Sequence, residues 1–206
     1  MVRKTKEDAE ITRQRIIEAA RELFSQNGVS KTSLEKIAKH AGVTRGAVYW
    51  HFENKTALFH TMREQVFLPF IDRIDGTLLA SASEKNPLKR IENFLLATIH
   101  TLNEDQATRQ TYEVLMIKCE YVDELADVLQ QILINCSDIV EKIEQVYQDA
   151  HRQHLINPNH SPADLAMDTH LFFGGLLHMW VKDIEGKRFR NQAVALVKTH
   201  INLRQK

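Results

Sequence analysis

The chain has 206 residues, 43% of them hydrophobic, and its 27 Lys+Arg balance its 27 Asp+Glu. No apolar run reaches the roughly 18 residues of a membrane span, and the basic N-terminus lacks a following apolar stretch, so a soluble, cytoplasmic protein is expected. Seven glycines and four prolines favour helices, and Cys119 and Cys136, without C-x-x-C spacing, suggest neither a disulfide framework nor a cysteine-rich zinc site.

Arg3, Lys4 and Lys6 form a basic arm, either a disordered tail or a segment that follows phosphates or the minor groove. From about Glu10 to Asn27, Ile16, Ile17, Ala20, Leu23 and Phe24 fall on one face of a helix that Asn27-Gly28 ends. The next stretch, from Thr32 to Phe52, organises the rest. Leu34, Ile37, Ala38 and Ala41 have the spacing of one buried helical face. Thr32 and Glu35 have capping-box spacing, and Ser33 is the alternative cap. Gly42 suits the left-handed residue after a helix, and Thr44 can cap a second helix starting at Arg45. Helix, short glycine-containing turn, helix is the outline of a DNA-binding helix-turn-helix.

Val43, Val48 and Phe52 are expected to face inward, leaving Thr44, Arg45, Gly46, Tyr49, Trp50 and His51 on or near the outer surface. Arg45 can donate a bidentate pair to guanine, and Gly46 lets backbone approach a base edge. Thr44, Tyr49 and His51 can donate to phosphates. Thr32, Ser33 and Lys36 of the first helix, and Lys55 beyond the second, complete the expected DNA-binding set. Lys55 opposes the dipole of the helix that Asn54 can cap, which suits a phosphate in front of it. An ordinary helical hairpin with an exposed aromatic pair is the bland alternative.

That helix continues through Leu58, Met62, Val66 and Phe67 until Pro69 kinks or breaks it. A loop region runs from Gly76 to Pro87. Further helices are expected at Leu88 to about Leu102, about Asp105 to Glu120, and Val122 to His154. After the Asn157-Pro158-Asn159 break, Ser161 can cap a helix from Pro162 to about Ile184, which Gly186 closes. Arg190 to Leu203 makes the last. No strand-period segment occurs, so the fold class is all-α: residues 1–54 as a three-helix head carrying the helix-turn-helix, and 55–206 as a larger helical domain. Charge follows that division. Residues 1–63 hold 12 Lys+Arg against 7 Asp+Glu, and the remainder 15 against 20, as a nucleic-acid module joined to something else would.

Enzymatic signatures are absent: no nucleophile elbow, P-loop, G-x-G-x-x-G or H-E-x-x-H occurs. His151-x-x-His154, with His160 beyond, lacks a carboxylate or cysteine to complete a tetrahedral set. No enzyme, cofactor or metal is expected. Both cysteines read as small, reduced, buried residues, with a redox role for Cys119 as the minority reading.

R-K-T-K-E at residues 3–7, T-R-Q-R-I-I-E-A-A at 12–20 and G-V-T-R-G-A-V-Y-W-H-F at 42–52 together resemble the TetR family of transcriptional repressors, specifically the AcrR-type regulators of multidrug efflux. Asn86-Pro87-Leu88, Lys118-Cys119-Glu120-Tyr121 and Trp180 extend the resemblance through the chain. It implies a DNA-binding head on a ligand-binding and dimerisation domain, a homodimer on a palindromic operator in double-stranded DNA, and release by a hydrophobic inducer. Regulation of lipid or other metabolism is the alternative within the family. A helical carrier of hydrophobic compounds is the alternative outside it.

Val66, Phe67, Phe70, Phe94, Leu95, Thr98, Tyr112, Leu115, Met116, Cys136, Ile139, His170, Phe173 and Leu177 lie at helical spacing in five segments. Each alone reads as core; as a set they suit an adaptable apolar pocket, and the resemblance places ligand contacts near them. Some relatives carry polar or acidic residues at the positions of Phe67 and Gly174, so this pocket is expected to be greasier. Glu113 reads as a surface or paired carboxylate, with an inward counter-charge as the alternative. In the Pro162–Ile184 helix, Leu171, Gly175 and Met179 lie roughly opposite Phe173 and Leu177. With Val194, Val197 and Ile201 of the last helix they form the expected dimer interface. Lys55 and Phe67 lie about 18 Å apart along their helix, a lever between pocket and head.

Overall fold

The computed structural model describes residues 6–79 and 84–206, without the side chains of 67–73. Among the described residues there are nine α-helices and no β-strand beyond an isolated bridge between Ile156 and Gln205. They are α1 (Lys6–Asn27), α2 (Leu34–His40), α3 (Arg45–His51), α4 (Lys55–Ile74), α5 (Pro87–Glu104), α6 (Gln106–Glu113), α7 (Ala126–Arg152), α8 (Pro162–Lys182) and α9 (Ala193–Asn202). No helix among them is long and apolar enough to cross a membrane. The expected arm at Arg3 and Lys4 lies outside the described residues, as do the side chains of Phe67 and Phe70. Helix α4 does not end at Pro69 but runs on to Ile74.

The chain divides into two compact units. The first comprises residues 1–68 and 107–129, a larger body than the 1–54 head. In it α1 and α2 pack together, as do α2 and α3, over a core of Ile16, Ile17, Phe24, Ile37, Val48, Phe52, Leu58, Phe59 and Met62. The Phe24 and Phe59 rings stand 6.0 Å apart.

Residues 107–129 join this core because tertiary partners satisfy their backbone. The single expected helix over 105–120 becomes α6 followed by a π-helical turn, Val114–Lys118. The Leu115 carbonyl accepts the Tyr121 hydroxyl at 2.6 Å. The Lys118 carbonyl accepts the Val29 amide at 3.1 Å. Carbonyls satisfied in this way have no need of a continuing helix. Ser25 donates to Glu113 at 2.8 Å and Thr56 to Glu124 at 3.2 Å. Glu113 is therefore a paired carboxylate.

The second unit comprises residues 69–106 and 130–206. Asn86 caps α5 through its side chain with Pro87 in the first turn, and Ser161 caps α8, accepting from the Asp164 amide. Helix α5 packs on α9, and α9 on α8. Arg90, only 3% exposed, bonds Asp149 of α7 at 2.6 Å. A polar chain crosses the interior: Tyr147 shares a hydrogen bond with Thr169 at 2.8 Å, and Thr169 another with His200 at 3.2 Å. The His200 ring stacks on Phe172 at 3.8 Å.

Candidate DNA-binding surface

Local chemistry shapes the helix-turn-helix. Ser33, not Thr32, caps α2, accepting from the Lys36 amide at 3.3 Å. Thr32 is 1% exposed and donates its hydroxyl to the Gly28 carbonyl at 2.8 Å. Its side chain is thus spent inside the fold, which removes it from the expected phosphate-binding set. Beyond α2 the chain turns at Gly42, whose φ of +64° is left-handed. A side chain is strained in that conformation, and a Cβ here would meet Arg15 Nη2 at 3.1 Å. That same nitrogen donates to the Ala41 carbonyl at 2.6 Å, pinning the turn to α1. Thr44 then caps α3, accepting from the Ala47 amide at 3.1 Å.

Helix α3 buries Val48 and leaves a polar and aromatic face outside. Thr44, Arg45, Gly46, Tyr49 and Trp50 are exposed, Trp50 at 73%, while His51 and Val43 are half-buried. Trp50 meets His51 edge to face, with ring centroids 4.5 Å apart. Arg45 is held from two sides. Its Nη1 lies 3.2 Å from Glu35 of α2, and its Nη2 donates to the Tyr49 hydroxyl at 3.4 Å with the guanidinium over the Tyr49 ring. Backbone and Ser33 hydrogen bonds, then Arg45, lower the Glu35 carboxyl below its ordinary range. An exposed tryptophan, a tyrosine and an arginine on one short, capped helix have the donor chemistry that major-groove reading requires.

Lys36 is exposed and donates to the Lys31 carbonyl at 3.0 Å. Lys55 is half-buried, its ammonium 3.0 Å from the Val29 carbonyl. It fastens the end of α1 to the start of α4, a structural task that leaves two of its three donor positions for other partners.

The expected ligand residues fall in both units. In the first, Val66, Tyr112 and Leu115 are buried and Met116 half-buried. In the second, Phe94, Leu95 and Thr98 of α5 and Phe173 and Leu177 of α8 are buried. His170, Cys136 and Ile139 are half-buried, and burial lowers the pKa of His170, favouring the neutral ring. Ile139 lines a cleft of about 230 Å³ together with Ile74, Asn135, Asp138, Glu141, Lys142 and Gln145, a mixed apolar and polar lining. Burial raises Cys119 to about 11, the opposite of what a redox-sensing thiol needs. Among the described residues no three His, Cys, Asp or Glu are grouped to hold a metal.

The expected dimer stripe is divided. Leu171, at 65%, Gly175 and Met179 are exposed on α8 together with Met167, and Val194 is exposed on α9. Val197 and Ile201 are fully buried instead, packed into their own unit. Leu196 takes their place on the outer face of α9. An added Cβ at Gly175 meets nothing within 4 Å, so the space it opens lies outside the chain.

Comparison with known proteins decides the family. Residues 16–62 match the family described as bacterial regulatory proteins, tetR family, and residues 86–205 match the C-terminal region of MAATS-type transcriptional repressors. The chain belongs to the TetR family. It is 35% identical over 193 residues to the HTH-type transcriptional regulator AcrR of Shigella flexneri, covering 88% of this chain and 83% of that one. It is similar to the crystal structure of NalD, the secondary repressor of the MexAB-OprM multidrug efflux pump of Pseudomonas aeruginosa. That likeness has a TM-score of 0.84 at 33% identity and covers 98% of this chain and 99% of NalD. A complex of SmeT, the repressor of a Stenotrophomonas maltophilia multidrug efflux pump, with triclosan aligns at a TM-score of 0.79 and 26% identity. It covers 95% of this chain and 92% of that one.

This TetR-family head contains functional detail that sequence reading missed. Glu35 reads in the sequence as a capping residue only, yet it holds Arg45 from the neighbouring helix. No local spacing announces a pair ten residues apart across a turn. Arg15 gives no sign of its role either, because its partner is the Ala41 backbone carbonyl just past the end of α2.

Proposed function

We propose that the protein represses a multidrug efflux operon and is released from its operator by a hydrophobic small molecule. The observation that carries this reading is the α3 surface, a capped helix presenting Arg45, Gly46, Tyr49 and Trp50 outward in a TetR-family chain. Arg45 reads a base, while Thr44, Tyr49, His51, Ser33, Lys36 and Lys55 position the helix on phosphates. The efflux assignment rests on the likeness to AcrR and NalD, and the ligand response on the SmeT complex with triclosan.

The operator is a palindrome read by a cytoplasmic homodimer, whose heads meet half-sites one helical turn or a multiple apart. The exposed apolar stripe of Met167, Leu171, Gly175 and Met179, with Val194 and Leu196, supports a two-fold contact between α8 and α9 of two copies. Each unit buries apolar side chains of the kind such a ligand needs: Val66, Tyr112 and Leu115 in the first, and Phe94, Leu95, Phe173 and Leu177 in the second.

Footprinting of the DNA upstream of the gene, with and without triclosan and cationic dyes, tests the reading. A protected palindrome whose affinity falls with ligand is expected, and operator must weaken ligand binding by the same factor. A ligand that binds tightly and equally well with and without operator overturns the induction mechanism, because it shifts no equilibrium. A protein that sediments as a monomer at micromolar concentration overturns the dimer.

A further inference from the structure

Among the described residues the chain buries two arginines, and it treats them differently. Arg90 has the Asp149 carboxylate at 2.6 Å. Arg63, on α4 of the first unit, is only 4% exposed, and its Nε and Nη1 are buried without a hydrogen-bond partner. No carboxylate among the described residues pairs with it. Its charge acts on the Tyr121 phenol, lowering a pKa that burial raises. The Tyr121 proton is already given to the Leu115 carbonyl, so the phenol oxygen cannot also donate to an arriving acceptor.

An uncompensated buried charge is costly, which is why proteins pair such groups or reserve them for a task. Here the setting indicates the task. Val66 stands one helical turn from Arg63, and Val66, Tyr112 and Leu115, all buried in the same unit, belong to the residues expected to meet the inducer. The guanidinium is a planar fork that matches a carboxylate geometrically, and either approach to it uses one of the two unpaired nitrogens. A single fork suits a singly charged group on an apolar body; a phosphate dianion would need a second cation.

We propose that Arg63 anchors the acid group of the inducer, so that the compounds to which this repressor responds are hydrophobic carboxylates. This rests on the ligand-responsive reading above and narrows it to one chemical class. The test compares naphthalene-2-carboxylate with naphthalene-2-carboxamide, an aromatic pair differing in charge, by calorimetric titration of the full chain with and without operator. The carboxylate is expected to bind roughly tenfold or more tightly than the amide, the worth of a hydrogen bond to a charged group. Arg63→Met abolishes that preference, Arg63→Lys retains part of it, and Arg63→Met melts at or above the parent because an unpaired charge has been removed.

If the amide and triclosan bind and release operator while the carboxylate binds no better, the acid preference is overturned and the repressor reading stands. If no compound binds and operator affinity never changes, both fall. An Arg63→Met variant that melts well below the parent assigns Arg63 to the fold and overturns the anchor. The acid-to-amide ratio of the parent protein reads out independently of how any variant folds.

Discussion

Two glycines four residues apart should respond to the same substitution with opposite signs. Gly42 sits at φ +64°, and a Cβ there meets Arg15 Nη2 at 3.1 Å, the atom bonded to the Ala41 carbonyl at 2.6 Å. In Gly42→Ala the left-handed conformation costs about 1–2 kcal/mol. Displacing the Arg15 end weakens a hydrogen bond worth about 1 kcal/mol, and the stiffer unfolded chain returns about 0.4–1 kcal/mol. The net loss is about 1–2 kcal/mol, or a fall of roughly 2–8 °C in Tm for a chain of this size. Gly46 lies inside α3, where a Cβ meets only Thr44 Oγ1 at 3.9 Å. Gly46→Ala should therefore gain about 0.5–1 kcal/mol of helix stability and melt higher. Yet it should lose operator affinity, because its methyl stands on the exposed face of α3 that is proposed to meet DNA. Far-UV circular dichroism melts of both variants, beside fluorescence anisotropy on operator DNA, give the four numbers. Melting shifts of the same sign for the two alanines would refute the reasoning, since of the two only Gly42 has a left-handed backbone and a close Arg15 contact.

Asp149→Ala leaves Arg90 buried without its carboxylate and should cost about 3 kcal/mol in denaturant titration, whereas the double change Arg90→Met, Asp149→Leu should cost markedly less. Glu35→Gln removes the negative charge 3.2 Å from Arg45, so binding to operator and unrelated DNA should both strengthen, roughly severalfold at low salt; a loss of operator affinity would instead make Glu35 the residue that aims Arg45. Burial first, then Arg204, lowers His200 to about 4 against Asp168, which raises it, while Tyr147 and Phe172 contribute no positive charge. The unfolded ring takes up its proton near 6.5 and the folded one only near 4, so stability is full above about pH 6.5 and falls as pH drops towards 4. His200→Gln should flatten that part of the pH profile in melting experiments.

The order of helices, the caps at Thr44, Asn54 and Ser161, and the exposed face of α3 were legible because each is written in residues within one turn of each other. Side-chain competition between neighbours was not. Thr32 and Ser33 are both capable caps, and only the approach of the Gly28 carbonyl makes Thr32 an interior residue. Periodicity marks Val197 and Ile201 as an apolar stripe, but a stripe does not say which of two apolar surroundings it meets. Lys55 reads as a dipole-opposing cation awaiting phosphate; the Val29 carbonyl that it holds lies 26 residues earlier. Arg63 looks in the sequence like any polar residue on an amphipathic helix, and the Tyr121 phenol on which its charge acts lies almost sixty residues away.

Residues 107–129 bear on how regulators of this family can be recombined. The Val29 amide, the Ser25 hydroxyl and Thr56 each find a partner in that later stretch. A head cut away after residue 54 would leave the Val29 amide and the Ser25 hydroxyl open, one cut after 68 would leave Thr56 open as well, and either would uncover the side of α1 that packs on Val114–Lys118. A chimera meant to move this DNA specificity onto another sensor should therefore transplant two segments, 1–68 and 107–129, as a matched pair. Grafting the first alone should yield a head that melts early and binds DNA poorly even with α3 unchanged, a failure easily mistaken for wrong base contacts.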